Sequence, residues 1–425
     1  MPSPFFRYTL GNRMKILIVP MAGTKTTSLF VFCKVGSRSE SKAINGASHF
    51  LEHLMFKGTK LRPSTLIISQ ELESLGAEFN AFTSKDFTGY YIKSPSKHFS
   101  RSADILTDML FHSTFDTSEI SRERQVIIQE IRMYEENPMM HIENLLEQAA
   151  FTGCSLGMEI AGPAKVIASV PRDALLEYKN AFYEPANMLC VVAGQIQPNT
   201  RKVIQKVFGK EKNNRTHFPK ISQARFTPRK ILVQQKKTEQ SQIAIGFRGF
   251  DHNHKDAATL ELLNSIFGGS MSSRLFIQVR ERLGMCYNIR SEVTSYEDIG
   301  LVTIYAGVSS KRIRGAVEAI QKEIKRMKTE PVKKDELVRA KEYLKGKLIM
   351  QMEASEKVAQ WYGHEQLFMK AVKTPQERLK EIDKVTIRDI RRVAQVVFKD
   401  SVWSAAGIGP FSLTQFRSLF RSSKR

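Results

Sequence analysis

Asn45-Gly46-Ala47-Ser48-His49-Phe50-Leu51-Glu52-His53-Leu54-Met55-Phe56-Lys57-Gly58 is the most chemically loaded stretch of the chain. His49 and His53 are four positions apart. On a helix such positions share one face, about a turn from each other. Two imidazoles there can bind one Zn²⁺ ion, and Glu52, one step before the second His, then stands beside the metal's open position. A helix is expected because 45–48 can start it and Lys57-Gly58 can stop it, with glycine at a left-handed cap. Phe50, Leu51, Leu54, Met55 and Phe56 would bury much of the remaining surface. The competing reading is a core helix with two satisfied histidines. Paired histidines on one buried face usually have a metal or acid partner, which favours the metal.

A second acidic element lies downstream. Asp116-Thr117-Ser118-Glu119 reads as a helix start, with capping side chains before an acidic first turn. The helix should run through 122–131 and stop before Pro138. Glu123 and Glu130 are seven apart, nearly two turns, so they share a face. Ile120, Ile127, Ile128 and Ile131 supply apolar packing beside them. Such a pair suits one metal ligand plus one group supporting it from behind. Spacing alone equally allows a solvated charged face, with Glu123 paired to Arg122 or Arg124.

These residues resemble the pitrilysin/insulinase family of zinc metallopeptidases, in the short two-domain branch that includes mitochondrial processing peptidase and its bacterial relatives. The histidine–x–x–glutamate–histidine order is that of the inverted zinc peptidases. The family's third ligand is a Glu seventy-seven positions after the second His. Glu130 has that separation from His53, within Glu123-Arg124-Gln125-Val126-Ile127-Ile128-Gln129-Glu130-Ile131. The resemblance therefore implies His49, His53 and Glu130 as ligands of one Zn²⁺ per chain, Glu52 as general base, and Glu123 as a second catalytic glutamate. It extends along nearly the whole chain. Leu75-Gly76-Ala77-Glu78-Phe79-Asn80-Ala81-Phe82-Thr83 resembles the family's substrate-holding edge strand, which implies Asn80, Ala81 and Thr83 as substrate contacts. Gly268-Gly269-Ser270-Met271-Ser272-Ser273-Arg274-Leu275-Phe276 resembles the glycine-rich turn of the second domain. Arg280 and Tyr287 match the family's Arg and Tyr that reach the substrate. Leu283 and Met158-Glu159 depart from common family residues; neither touches the metal set.

The chain has 425 residues, enough for two domains of about 200 residues that each bury a proper core. It also looks duplicated. Glu73-Ser74-Leu75-Gly76-Ala77-Glu78-Phe79-Asn80 matches Glu281-Arg282-Leu283-Gly284-Met285-Cys286-Tyr287-Asn288, offset by 208. Val192-Ala193-Gly194 echoes Ala405-Ala406-Gly407, and Val31-Phe32-Cys33-Lys34-Val35-Gly36 echoes Ile243-Ala244-Ile245-Gly246-Phe247-Arg248, at offsets of 213 and 212. Steady offsets mean two copies of one fold. Strands are expected at 15–20, 29–35 and 87–92, and helices at 64–75, 98–111 and 141–150. Each copy is thus α+β, a mostly antiparallel sheet with helices packed on it. The expected division is a catalytic zinc-binding domain at 1–208, a basic linker at 209–229 and a homologous non-catalytic domain at 230–425. Carried onto the second copy, His49, Glu52 and His53 fall on Leu260, Leu263 and Asn264, so that copy has lost the metal set. His252 and His254 sit in a polar turn, and His364-Glu365 lacks a second His; both read as structural.

Hydrophobic residues make up 42% and charged residues 25%, a globular balance. Cys33, Cys154, Cys190 and Cys286 are scattered, with neither zinc-finger spacing nor a disulfide framework. The first seven residues lack a signal-peptide core, and no apolar run approaches the roughly 18 residues of a membrane span. A cytoplasmic enzyme is expected. The formal net charge of +22 would suit acidic peptides, anionic membranes or nucleic acid. No zinc knuckle, stacking motif or helix-turn-helix accompanies the Lys/Arg clusters, so they read as solvated helix faces and no nucleic-acid partner is expected. The basic, amphipathic tail 411–421 could lie on a membrane surface; docking on its own domain is the expected arrangement. The partners expected are a peptide substrate and a second chain, a homodimer first and a heterodimer with a metal-free homologue second. An inactive structural subunit is the contrary reading, opposed by the intact His49, Glu52, His53 and Glu130.

Overall fold

Strands buried along their whole length need cover on both faces. Ile16-Leu17-Ile18-Val19 is such a run, as is all of Met188–Gly194. The computed structural model describes residues 5–215 and 217–420, and it supplies that cover in two compact units.

The first unit is built on a six-stranded sheet: β1 (Phe6–Thr9), β2 (Lys15–Pro20), β3 (Thr26–Cys33), β4 (Glu78–Thr83), β5 (Thr88–Pro95) and β6 (Met188–Gly194). The order across it is β1-β2-β6-β3-β5-β4, antiparallel except where β2 meets β6. Helices Ala47–Leu54, Phe99–His112 and Thr117–Glu136 contribute to the core on one face. On the other face Phe30, Phe32, Leu189 and Val191 meet Val358, Ala359 and Tyr362 of helix Ser355–Phe368. The approach is close. A Cβ on Gly363 would lie 2.3 Å from the ring of Phe32, so glycine is needed there.

The second unit repeats the plan with β7 (Ile231–Gln235), β8 (Gln240–Gly249), β9 (Cys286–Ser295), β10 (Gly300–Ser309) and β11 (Trp403–Gly409). Its order, β7-β11-β8-β10-β9, is the first sheet's order without β1, and again one pair, β7 with β11, is parallel. The duplication read from the offsets is therefore a duplication of topology, and the α+β class with mostly antiparallel sheets holds.

The units are not contiguous in sequence. The first takes Ile349–Thr374 from the C-terminal half, and the second takes Arg132–Gly157 from the N-terminal half. Helix Pro138–Ala150 lays Ile142 and Leu146 on Ala244, Ala406 and Ile408 of the second sheet. Each half thus lends the other a covering helix, whereas the division at 208 and 230 follows the chain. One change of unit comes between Ser222 and Gln223. The tail packs on its own unit: helix Leu413–Ser418 buries Phe416, with Phe411 stacked on it at 5.0 Å. Residues 1–4 and 421–425, on which part of the signal-peptide and tail readings rest, lie outside the described residues.

Candidate metal centre

The motif helix Ala47–Leu54 starts at Gly46, whose φ of +101° is a left-handed conformation that glycine adopts freely. The helix's N–H groups are met by Glu40. Its carboxyl accepts from Gly46 N and Ser48 N, both at 2.7 Å, and from Asn45 Nδ2 at 2.9 Å. Burial pushes this carboxyl up to about 7 although those three donors favour its charge. Phe50, Leu51 and Leu54 turn into the core. His49 and His53 remain on the opposite side, side by side, with ring centroids 4.6 Å apart.

Helix Thr117–Glu136 brings the two glutamates to these rings. His49 Nε2 and His53 Nε2 are 3.3 Å apart. Glu130 Oε2 lies 3.7 Å from the first and 3.6 Å from the second. Bonds of 2.0–2.1 Å at a tetrahedral ion put ligand atoms roughly 3.4 Å from one another, so this triangle has the size that zinc requires. Among the described residues, His49, His53 and Glu130 are the group able to hold a metal ion. Their side chains keep 12%, 21% and 26% of their surface exposed. The three side chains are thus partly accessible to solvent, which a catalytic site with a free fourth position requires.

The surroundings prepare these groups. His53 Nδ1 donates to Glu123 Oε2 at 2.8 Å, which leaves the Nε2 lone pair facing the triangle. Lys57 Nζ reaches the other oxygen of Glu123 at 2.6 Å. Burial alone would raise the Glu123 carboxyl, but His53 and Lys57 outweigh it and hold the group below the usual range. Burial, followed by the neighbouring His53, pushes His49 down to about 4, so it is neutral near pH 7 and its lone pair is free. His49 Nδ1 is buried without a protein partner. Glu52 accepts from Thr83 Oγ1 at 2.6 Å. Burial raises the Glu52 carboxyl above its ordinary value, with Thr83 and His53 opposing and Glu130 adding.

Asn80, Ala81 and Thr83 lie on β4, the last strand of its sheet. Asn80 is exposed and its Oδ1 accepts from Ala81 N at 2.9 Å. Thr83 points to Glu52 rather than standing free on the strand. Arg280 and Tyr287 belong to the second unit. Arg280 lies in a π-helical segment, Phe276–Arg282, with its guanidinium over the Phe276 ring at 4.6 Å. Tyr287 is 72% exposed on β9, an edge strand. Lys57 was missed by sequence reasoning. The one local signal was its position four after His53, which reads as an ordinary cation closing a helix. His254 stacks on Phe250 at 3.8 Å and its Nδ1 accepts from Asp256 N at 3.2 Å, and His364 faces Phe368 at 5.3 Å.

Two family models match the chain. One, described as Insulinase (Peptidase family M16), covers residues 15–164, and the other, Peptidase M16 inactive domain, covers 169–344. An uncharacterized zinc protease of Bacillus subtilis is 36% identical over 95% of this chain and 98% of its own length. The beta subunit of mouse mitochondrial-processing peptidase is 31% identical over 92% of this chain and 81% of its own. A crystal structure of a protease from Helicobacter pylori superposes with a TM-score of 0.90 at 22% identity, covering 96% of this chain and 99% of that one, and so shares the fold.

Proposed function

The chain belongs to the insulinase family (peptidase family M16) and is a zinc metallopeptidase, and we propose that it hydrolyses extended or unfolded peptides at a zinc site formed by His49, His53 and Glu130. The observation that carries this reading is the triangle of His49 Nε2, His53 Nε2 and Glu130 Oε2, its side chains partly exposed and its charges felt by Glu52. Zinc held by His49, His53 and Glu130 would supply a Lewis acid for the scissile carbonyl and lower the pKa of its water toward about 7. Glu52, held by Thr83, accepts the proton of the attacking water and returns it to the departing amine. Its burial-raised basicity favours that exchange. Glu123 fixes the ring of His53 from behind.

The substrate adds as an extended strand along β4, where Asn80 and Ala81 offer backbone and amide groups. Arg280 and Tyr287 of the second, non-catalytic unit contribute further substrate contacts. The working form is a homodimer, or a heterodimer with a metal-free homologue, a choice supported by the mouse relative's name as a subunit. All four cysteines are free, which suits a reducing compartment such as the cytoplasm. No helix among the described residues is long and apolar enough to cross a membrane.

Glu52→Gln tests the chemistry apart from the binding. It should keep its zinc and lose peptide turnover by at least about a hundredfold, the scale of a missing general base. Turnover at the wild-type rate would mean that the base is elsewhere.

A further inference from the structure

We infer that Lys57 is a positioning residue for His53, acting through Glu123. The inference rests on the zinc-site reading above and goes beyond it.

The backbone at Lys57 is fixed before its side chain is considered. The motif helix closes with Phe56 N on His53 O and Lys57 N on Leu54 O, at 3.2 and 3.1 Å. Gly58 follows at φ +133°, and a Cβ there would lie 2.8 Å from Pro63 O, so the chain can turn here only with glycine. Thr59 Oγ1 and Arg62 Nη1 both donate to Asp108 Oδ2, each at 2.6 Å. Arg62 also reaches Asp104 at 2.6 Å and Glu71 at 2.9 Å. The turn is thereby stapled to helix Phe99–His112, and Lys57 leaves it at a set point.

From there Lys57 Nζ meets Glu123 Oε1 at 2.6 Å, while Glu123 Oε2 accepts from His53 Nδ1 at 2.8 Å. One carboxylate spends its two oxygens on two partners. The Glu123 side chain is only 6% exposed, so water cannot readily replace a lost partner. Without Lys57, Oε1 would be an unmet charge in a buried position. Glu123 would turn toward solvent and release the ring of His53.

The second copy supports this assignment. Phe56 and Gly58 correspond to Phe267 and Gly269, so Lys57 corresponds to Gly268. The copy without the metal set also lacks the lysine. A Cβ on Gly268 would lie 2.5 Å from Ser291 Oγ, so no side chain fits there.

The test compares Lys57→Met and Lys57→Arg in the full chain, with Lys57→Gln in reserve should the Met variant not fold. Zinc affinity is read by competition with a chelator, beside kcat and KM on a peptide. Lys57→Met should weaken zinc binding about ten- to hundredfold and lower kcat with KM unchanged, the usual scale for groups that orient a ligand. Lys57→Arg should restore most of both. In a Glu123→Ala background, Lys57→Met should add less than about twofold, because the two residues act as one unit. Wild-type zinc affinity and kcat in Lys57→Met would overturn the inference, as would an undiminished loss in the Glu123→Ala background. Zinc binding by the unmutated chain separates the two readings. Its absence sinks the metal site itself; its presence with an inert Lys57→Met sinks only the role of Lys57.

Discussion

Helices Ala47–Leu54 and Ala257–Phe267 occupy the same step in two copies of one topology, yet one presents two imidazoles to a carboxylate and the other fills a core. In the first, His49 and His53 stay partly exposed and face Glu130. In the second, the corresponding Leu260 and Leu263 are 1% and 0% exposed, and Asn264 Oδ1 accepts from Ser291 Oγ at 2.6 Å. The helix starts differ in kind as well. Glu40 caps the motif helix with a buried carboxyl that accepts from Gly46 N, Ser48 N and Asn45 Nδ2. At the second helix, Asp256 is gripped by Arg392 through both oxygens, at 2.8 and 2.7 Å. The lesson is that one topology holds either paired imidazoles or core-filling leucines at the same helix step. The copy with leucine at these positions gains packing and offers no imidazole there.

This contrast can be broken most forcefully from the packing side. Leu260→Ala should destabilise the protein by about 2–5 kcal/mol in urea unfolding while leaving the zinc content unchanged. His49→Ala should do the reverse, removing zinc while shifting the stability of the metal-free chain by no more than about 1 kcal/mol. Equal stability losses from the two variants would mean that His49 is simply a core residue.

A smaller effect sharpens the contrast at the caps. Burial raises the Glu40 carboxyl to about 7, so the folded chain holds a proton that the unfolded chain releases near pH 4.5. Glu40's own contribution to the stability of the zinc-free protein should therefore fall as pH rises from about 4.5 to about 7, by up to about 1.4 kcal/mol per pH unit, against the opposite slope of the depressed histidines His49 and His364. Glu40→Gln should flatten that slope in urea titrations run across this range. Asp256 has the opposite sign. Its hydrogen bonds from Arg392 hold the carboxyl below the ordinary range, so its contribution is present at neutral pH and is lost only as pH falls through the acid range. An unchanged slope in Glu40→Gln would leave the motif helix without its distinctive cap.

Much of this was legible in the residues. β2 covers 15–20 as expected, and helices Thr65–Ser74 and Phe99–His112 lie within a residue of the expected spans, because local periodicity wrote them. Helix Pro138–Ala150 begins three residues before its expected start, since proline is tolerated in a first turn. The exchange of covering helices was not legible. The apolar face of Ile142 and Leu146 is visible in sequence, but nothing local says which sheet it covers. The same division runs through the site. His49, Glu52 and His53 share one helix and announce themselves, and Glu130 followed from a family spacing. Thr83 and Lys57 meet partners 31 and 66 positions away, and only the folded chain joins those pairs.

Native mass spectrometry with metal analysis tests the central claim most directly, because it reads zinc and assembly on the same particles. The account predicts one zinc ion per chain in the unmutated protein, none in His49→Ala or His53→Ala, and an undiminished one in Leu260→Ala. A chain that binds no zinc after refolding in excess Zn²⁺, or that keeps its zinc when either histidine is removed, would contradict it.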